Sequence, residues 1–308
     1  MAGDPGPNEK GELMIGKNLV VLVTGTSSGF GRRIAETLAR RGHYVFASMR
    51  GVDGKNREAA DTLRSWAHTE GVSGEVVDLD ITDQETVDRA VSHILDASGR
   101  IDVVVNNAAT GTAGILEAFT LDEVRQSIEN VALGALRVDK AVLPTMRKQG
   151  SGLLIHVSST GGRIILPFVS PYSAGKAALE AFAEEFAFEL APFGVESIIV
   201  EPGGYGTEGV LSGSGVTFPA DADGVLAGYG EMASKPQEMF AGLGEVFTGP
   251  GAPDPQEVAD AVADLIDQPA GTRPLRTVVG TLSTAGVREL NEAYEKSRQQ
   301  LLSSLGVA

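Results

Sequence analysis

At 308 residues, 42% hydrophobic and 21% charged, the chain can bury a core and form one large globular domain. A formal net charge of −16 excludes a general nucleic-acid partner, because an acidic surface repels a phosphate backbone. Cysteine is absent, which excludes disulfides, thiolate metal sites and cysteine nucleophiles, and the four histidines (His43, His68, His93, His156) match no metal-ligand spacing, so no metal is expected.

The N-terminal stretch MAGDPGPNEKGEL is rich in glycine, proline and charge. It is expected to form a flexible tail over residues 1–16, not a signal peptide. No apolar run reaches the roughly 18 residues of a membrane span, so no membrane partner is expected and the cytoplasm is the expected location. From residue 17 onward strand and helix patterns alternate. NLVVLVTG (18–25) is a β-branched run ending in glycine, and an amphipathic helix follows to Gly42. HYVFASMR is a second strand, followed by a polar helix over 56–71. GEVVDLD is a third strand; the helix after it opens with Thr82 and Glu85 at capping-box spacing. IDVVVNNAA is a fourth strand, and a long helix runs from Thr120 to about Gln149. GLLIHVSS and VESIIVEPGG are the fifth and sixth strands, with a helix over 171–191 between them. DPQEVADAVADLIDQP is a helix, LRTVVG a seventh strand, and a polar helix from about Thr284 closes the chain.

Strands apolar at nearly every position and flanked by helices imply a parallel sheet covered on both faces. The expected architecture is α/β: one Rossmann-like doubly wound domain over 17–308 with a seven-stranded sheet. Residues 205–253, rich in glycine, alanine and acid, break the rhythm. They are expected to be an irregular, mobile substrate loop at the carboxyl edge of the sheet, where open α/β sheets bind ligands.

TGTSSGFG lies between the first strand and the first helix. Gly25 permits a tight turn, Gly29 lets a phosphate approach the backbone and Gly31 allows close helix packing, so the loop through Thr26, Ser27, Ser28 and Phe30 is a candidate dinucleotide site. Alone it could be an ordinary turn; its strand–loop–helix context favours the site. Where NAD-specific sites place an acid, the second strand ends in Met49 and Arg50. An arginine there suits a 2′-phosphate, so NADP(H) is favoured and NAD(H) stays possible; the alternative is a solvated arginine. Asp80, with Ile81 beside it, ends the third strand within reach of an adenine amino group, and Thr82 or Asp83 caps the next helix. NNAA leaves the fourth strand with small residues against which a ring can lie (Asn107, Ala108, Ala109) and asparagines that can tie strand ends together.

VSPYSAGKAAL starts a helix, with Ser170 as N-cap and Pro171 in the first turn. Tyr172 and Lys176 share one face. As a pair they could be surface decoration, or an acid–base group and the ammonium that lowers its pKa. Ser159 at the end of the fifth strand, Asn130 in the preceding long helix and Pro202–Gly203 at the end of the sixth strand fall at the same sheet edge.

Over about residues 18–280 this ordered set resembles the short-chain dehydrogenase/reductase family: its TGxxxGxG loop, an NNAG-like segment with Ala109 in place of glycine, a Ser–Tyr–Lys set, and a PG-then-Thr exit (Pro202, Gly203, Thr207). The resemblance implies that Tyr172 is the catalytic acid/base and that Ser159 binds the substrate oxygen. It implies that Lys176 lowers the tyrosine pKa and holds the nicotinamide ribose, and that Asn130 supports a relay water. It implies pairing into homodimers or homotetramers through the two long helices. Segments such as RPLRTVVG resemble the hydroxysteroid and retinol dehydrogenase branch. With Tyr205, Phe218, Tyr229, Met232, Met239, Phe240 and Phe247 in the long loop, a lipophilic alcohol or ketone is the expected substrate; core packing is the alternative role of those aromatics. Two other functions fit the fold: a non-enzymatic dinucleotide sensor, which would typically lack the tyrosine or lysine, and a sugar-nucleotide epimerase, which would show TGxxGxxG and a larger C-terminal domain.

Overall fold

The computed structural model describes residues 18–306 apart from residue 222; the tail at 1–16 lies outside the described residues. Seven strands form one parallel sheet: β1 (Val20–Thr24), β2 (Tyr44–Met49), β3 (Gly74–Asp78), β4 (Val103–Asn106), β5 (Gly152–Val157), β6 (Val195–Pro202) and β7 (Arg276–Val279). Their order is β3-β2-β1-β4-β5-β6-β7, as the doubly wound reading requires. The period of two along a strand explains the layering. In β1, Val21 and Val23 face a core shared with Ile34 and Leu38 of α1 (Gly29–Arg40), Leu63 of α2 (Arg57–Glu70), and Val258 and Val262 of the helix Gln256–Asp267. Val20 and Leu22 face the opposite core, shared with Val87 and Ile94 of α3 (Gln84–Ser98) and Val138 and Val142 of the helix Gly134–Gln149. The order reverses between β1 and β4, and the crevice outside their carboxyl ends is the natural ligand position.

Several boundaries differ from expectation, each for a local reason. The cap of α3 is Asp83, whose carboxylate accepts from Glu85 N–H at 2.9 Å; Thr82 is diverted because its hydroxyl donates to Asp80 at 2.8 Å. The long helix starts with the Thr120–Glu123 capping box but is not uniform: α4 (Leu121–Ile128) passes through a wide π turn, Glu129–Leu133, into α5 (Gly134–Gln149). Helix α6 runs Ser170–Glu189, with Ser170 as its first helical residue and no capping bond from its side chain. The segment 205–253 is not an irregular loop. It holds the short helix α7 (Glu208–Leu211), a two-residue strand pairing with Gly111–Thr112, and a helix α8 (Lys235–Thr248). Phe240, Leu243 and Phe247 supply a helical stripe there that Gly242 and Gly244 diluted in the sequence. Helix α9 is Gln256–Asp267, and α10 (Val287–Leu305) begins three residues later than expected. Among the described residues no helix is long and apolar enough to cross a membrane, and no cluster of His, Cys, Asp or Glu could hold a metal.

Candidate active site

The glycine turn and the NNAA segment are joined by a knot of hydrogen bonds. Thr24 Oγ1 accepts from the N–H groups of Asn107 at 3.0 Å and Ala108 at 3.1 Å and donates to the Val105 carbonyl at 3.3 Å. The Asn107 amide donates to the carbonyls of Thr24 at 2.9 Å and Gly25 at 3.2 Å. Gly25 has φ 74, which favours glycine, and a methyl group on Gly31 would overlap the Gly25 carbonyl oxygen. Thr26 anchors the turn to β2, its N–H and hydroxyl donating to the Ser48 carbonyl at 3.0 and 3.1 Å. Ser27 is partly buried and Ser28 exposed, while Phe30 stands edge-to-face against Tyr205 at 5.5 Å. Sequence reasoning assigned no role to Thr24, although a buried hydroxyl at a strand end needs partners and that need is the signal that could have found it.

At the start of α1 the Gly29 N–H donates to the Glu208 carboxylate at 2.9 Å, and Arg33 holds the other oxygen of Glu208 at 2.8 Å. Glu208 follows Thr207, which packs against Gly29, so the exit from β6 folds over the glycine turn. Gly203 fits closely under the Leu282 carbonyl, and Pro202 ends β6 as expected. Arg50 is exposed at the end of β2, 3.8 Å from Asp80. Asp80 also accepts from the Thr82 N–H at 3.0 Å. Burial raises its pKa, but those Thr82 bonds and the charge of Arg50 outweigh this and hold the carboxyl below its usual range. Ile81 is buried under α5, and Ala108 is partly buried beside the exposed Ala109.

Tyr172, Lys176 and Ser159 meet where α6 begins beside the end of β5. Lys176 is 3% exposed, and its amino group donates to the Val157 carbonyl at 2.7 Å and lies 5.6 Å from the centre of the Tyr172 ring. Tyr172 is partly buried, and Ser159 accepts from Gly161 N–H at 3.1 Å. The ionisation is opposite to expectation. Burial pushes the Tyr172 phenol up to about 12; the Ser159 hydroxyl draws it down, and the charge of Glu180 adds to the rise. Burial likewise pushes Lys176 down to about 8, against the charge of Glu180. Both shifts favour the neutral form because a charge in a dry site loses its hydration. In the free protein the lysine therefore does not bring the phenol toward neutrality, and its hydrogen-bond acceptor is a main-chain carbonyl. Asn130 lies in the π turn, a distortion frequent at functional sites, with its carbonyl accepting from Gln126 at 3.2 Å. Of the aromatics in 205–253, Tyr205 and Phe247 belong to the core, and the Tyr205 hydroxyl donates to Glu257 at 2.9 Å. A cleft between α1, β2 and α2, lined by Ala39, Leu63 and Trp66, is remote from this chemistry.

Residues 19–212 match the family model of short chain dehydrogenases. An uncharacterized oxidoreductase YusZ of Bacillus subtilis is 37% identical over 80% of this chain and 84% of its own. Human retinol dehydrogenase 8 is 32% identical over 82% of this chain and 78% of its own. A solved structure of a variant actinorhodin polyketide ketoreductase with NADPH is 27% identical, covers 87% of this chain and 97% of its own, and superposes with a TM-score of 0.72. The chain belongs to the short-chain dehydrogenase/reductase family.

Thr24→Val keeps the shape of the side chain but strands the Ala108 N–H and leaves the Asn107 N–H only its bond to the Val105 carbonyl at 3.1 Å. Denaturant unfolding is expected to show a loss of about 1–3 kcal/mol, the cost of one buried unpaired group. An unchanged midpoint would show that the knot carries no stability.

Proposed function

We propose that the protein is an NADP(H)-dependent oxidoreductase interconverting a lipophilic secondary alcohol and its ketone, or a primary alcohol and its aldehyde, with Tyr172 as the acid–base group. The observation that carries the reading is the meeting of Tyr172, Lys176 and Ser159 at the carboxyl edge of the sheet. The residues present fit a dinucleotide. Ser28 gives α1 no side-chain cap, and the Gly29 N–H is met by the Glu208 carboxylate, so the helix start takes an anion. The turn Gly25–Gly31 would hold the pyrophosphate and Arg50 the 2′-phosphate. Asp80 and Ile81 would flank the adenine; Asn107, Ala108, Ala109, Pro202, Gly203 and Thr207 would line the nicotinamide half. Bound NADP(H) supplies the hydride donor or acceptor.

The chain's own residues handle the proton. Tyr172 Oη gives a proton to the carbonyl oxygen in reduction and takes it from the hydroxyl in oxidation. Ser159 donates to that same oxygen and fixes its place. A phenol near 12 stays protonated across the physiological range and is ready as a donor; the oxidative direction needs positive charge beyond that of the free site, which a bound oxidised nicotinamide would supply. Asn130, in its π turn, would hold a water on the route of the proton. Exposed Ile164, Ile165 and Leu166, just past Ser159, give the edge an apolar rim, which supports a lipophilic substrate together with the relation to a retinol dehydrogenase. Pairing into dimers or tetramers through the helices at 120–149 (α4, the π turn and α5) and 171–191 (α6), and location in the cytoplasm, remain part of this proposal.

A panel of steroid, retinoid, aromatic and aliphatic ketones with NADPH tests the reading. Tyr172→Phe should lower kcat by about a thousandfold while fluorescence titration finds NADPH affinity intact. Near-normal turnover would move the proton chemistry elsewhere. In steady-state kinetics, Arg50→Ala should cut the NADP-over-NAD ratio of kcat/KM by about tenfold, the worth of one charged hydrogen bond; a ratio that does not move removes Arg50 from phosphate recognition. Glu208→Gln weakens the carboxylate's competition for the Gly29 N–H. Calorimetry should then find NADPH bound roughly threefold more tightly, and equal or weaker binding would make Glu208 a supporting residue instead.

A further inference from the structure

One turn beyond Lys176 on α6 lies Glu180, 2% exposed, in a charge network that the proton chemistry above does not use. Its Oε1 accepts from the hydroxyl of Ser158, the neighbour of Ser159, at 2.5 Å, and its Oε2 pairs with Arg276 of β7 at 2.5 Å. The same guanidinium pairs with Glu201, fully buried beside Pro202, at 2.5 Å, and with Glu184. The C-terminal helix closes the network. Asn291 donates to Glu201 at 2.5 Å and accepts from Arg163 at 2.9 Å; the Tyr294 hydroxyl donates to Glu184 at 2.9 Å and its ring lies under Arg163 at 4.6 Å. One guanidinium thus binds carboxylates next to three pieces of the site: the strand end with Ser159, the helix with Lys176, and the exit at Pro202.

The charges balance. Glu180, Glu184 and Glu201 are three carboxylates; Arg163, Arg276 and Lys176 are three cations. Burial pushes the Glu180 carboxyl up from its ordinary value and the charge of Glu201 adds to the rise, while the Arg276 guanidinium and the Ser158 hydroxyl draw it back down, so its ionisation depends on those two partners. We infer that Glu180, clamped by Arg276, is a positioning residue of the Ser159–Tyr172–Lys176 site: through Ser158 it fixes the strand end that presents Ser159, and its charge holds Lys176 as an ammonium. The inference rests on the proposed function. Among the groups facing Lys176 from the surrounding elements, Glu180, one turn along the same helix, is the carboxylate whose charge raises its proton affinity. Tyr172 is neutral on the same helix. His156 on β5 is pushed down to about 3 by burial, so it is uncharged, and Asp139 on α5 is pushed up to about 8 by burial. The π turn offers Asn130 and a Glu129 already paired with Arg137 at 2.6 Å, while Glu201 on β6 is paired with Arg276.

The sign is fixed. Removing a negative charge lowers the pKa of a nearby ammonium and of a nearby phenol alike. Isotope-labelled lysine in the whole protein, with the Lys176 resonance assigned by its loss in Lys176→Met, reads the ammonium by nuclear magnetic resonance without cofactor or substrate. The wild-type midpoint is expected near 8, and in Glu180→Gln about one pH unit lower, a tenfold loss of proton affinity. With NADPH and a ketone that the wild type reduces, the alkaline limb of kcat/KM should move to lower pH by the same amount, and Glu180→Asp should restore its position. A purely structural role would scale the rate equally at every pH; an unmoved Lys176 midpoint or a superposable profile overturns the inference. Should Glu180→Gln fail to fold, Glu180→Asp and Ser158→Ala carry the test. Each keeps the charge, so each should show the wild-type limb with kcat down severalfold, and wild-type kcat in both overturns it. Turnover retained in Tyr172→Phe would instead sink the active-site reading, while the Lys176 titration would still report on Glu180.

Discussion

The hydroxyl of Thr24 sits where the sheet divides. From β1 the chain turns to one face and from β4 to the other, so two neighbouring strands part at their carboxyl ends and leave a crevice. Both strands are buried on both faces, and no solvent is at hand to satisfy their last N–H and C=O groups. Thr24 and the Asn107 amide do this together. Their bonds fix the glycine turn against the NNAA segment, and with it the direction in which α1 leaves. If that knot were looser, the start of α1 and the floor of the crevice would not share one frame.

The same lack of water governs the chemistry. Burial moves Tyr172 and Lys176 in opposite directions, each toward its neutral form. The phenol stays a donor, while the ammonium is retained only with nearby negative charge. Glu180 supplies that charge but also opposes ionisation of the phenol. On the proposed reading the two effects divide the work: the free site is set for donation, and a cation brought by the cofactor would shift it toward acceptance. A buried salt-bridge network is a poor source of stability, since desolvation offsets most of its attraction. Around Arg276 it is better understood as geometry, fixing α10, β6, β7 and α6 to one another.

The parallel sheet was legible because its signal is redundant: apolar runs such as VVLVT and LLIHV permit few other folds, and glycine and asparagine mark their ends. The Tyr172–Lys176 pair and Ser159 were legible because strand ends and helix starts place them at one edge. What escaped depends on tertiary surroundings. The pKa directions could not be read from the i, i+4 spacing, which says that two groups are close but not how dry they are. The π turn at Asn130 has no local mark in ENVAL; Gly175 of α6, packed against Val131, shows how tightly the two helices approach there. Helix α8 was missed because its glycines weakened a real stripe. Arg276 was seen only as a strand residue in RPLRTVVG, since its three carboxylates come from positions 75 to 96 residues away.

A chain with a net charge of −16 faces a particular problem if it binds an anionic dinucleotide. Long-range attraction is absent, so affinity must come from groups inside the crevice. In the free protein several of those groups are already paired with carboxylates: the Gly29 N–H and Arg33 with Glu208, and Arg50 with Asp80. On the proposed reading, binding exchanges carboxylate for phosphate at the pyrophosphate and at the 2′-phosphate, and its strength is the difference between two sets of bonds, not the sum of one. The exchange at α1 would push Glu208 and the chain that follows it away from the turn. That chain is the segment leading through α7 toward α8, so occupancy of the phosphate site and the position of the substrate-side helices would be linked through one carboxylate.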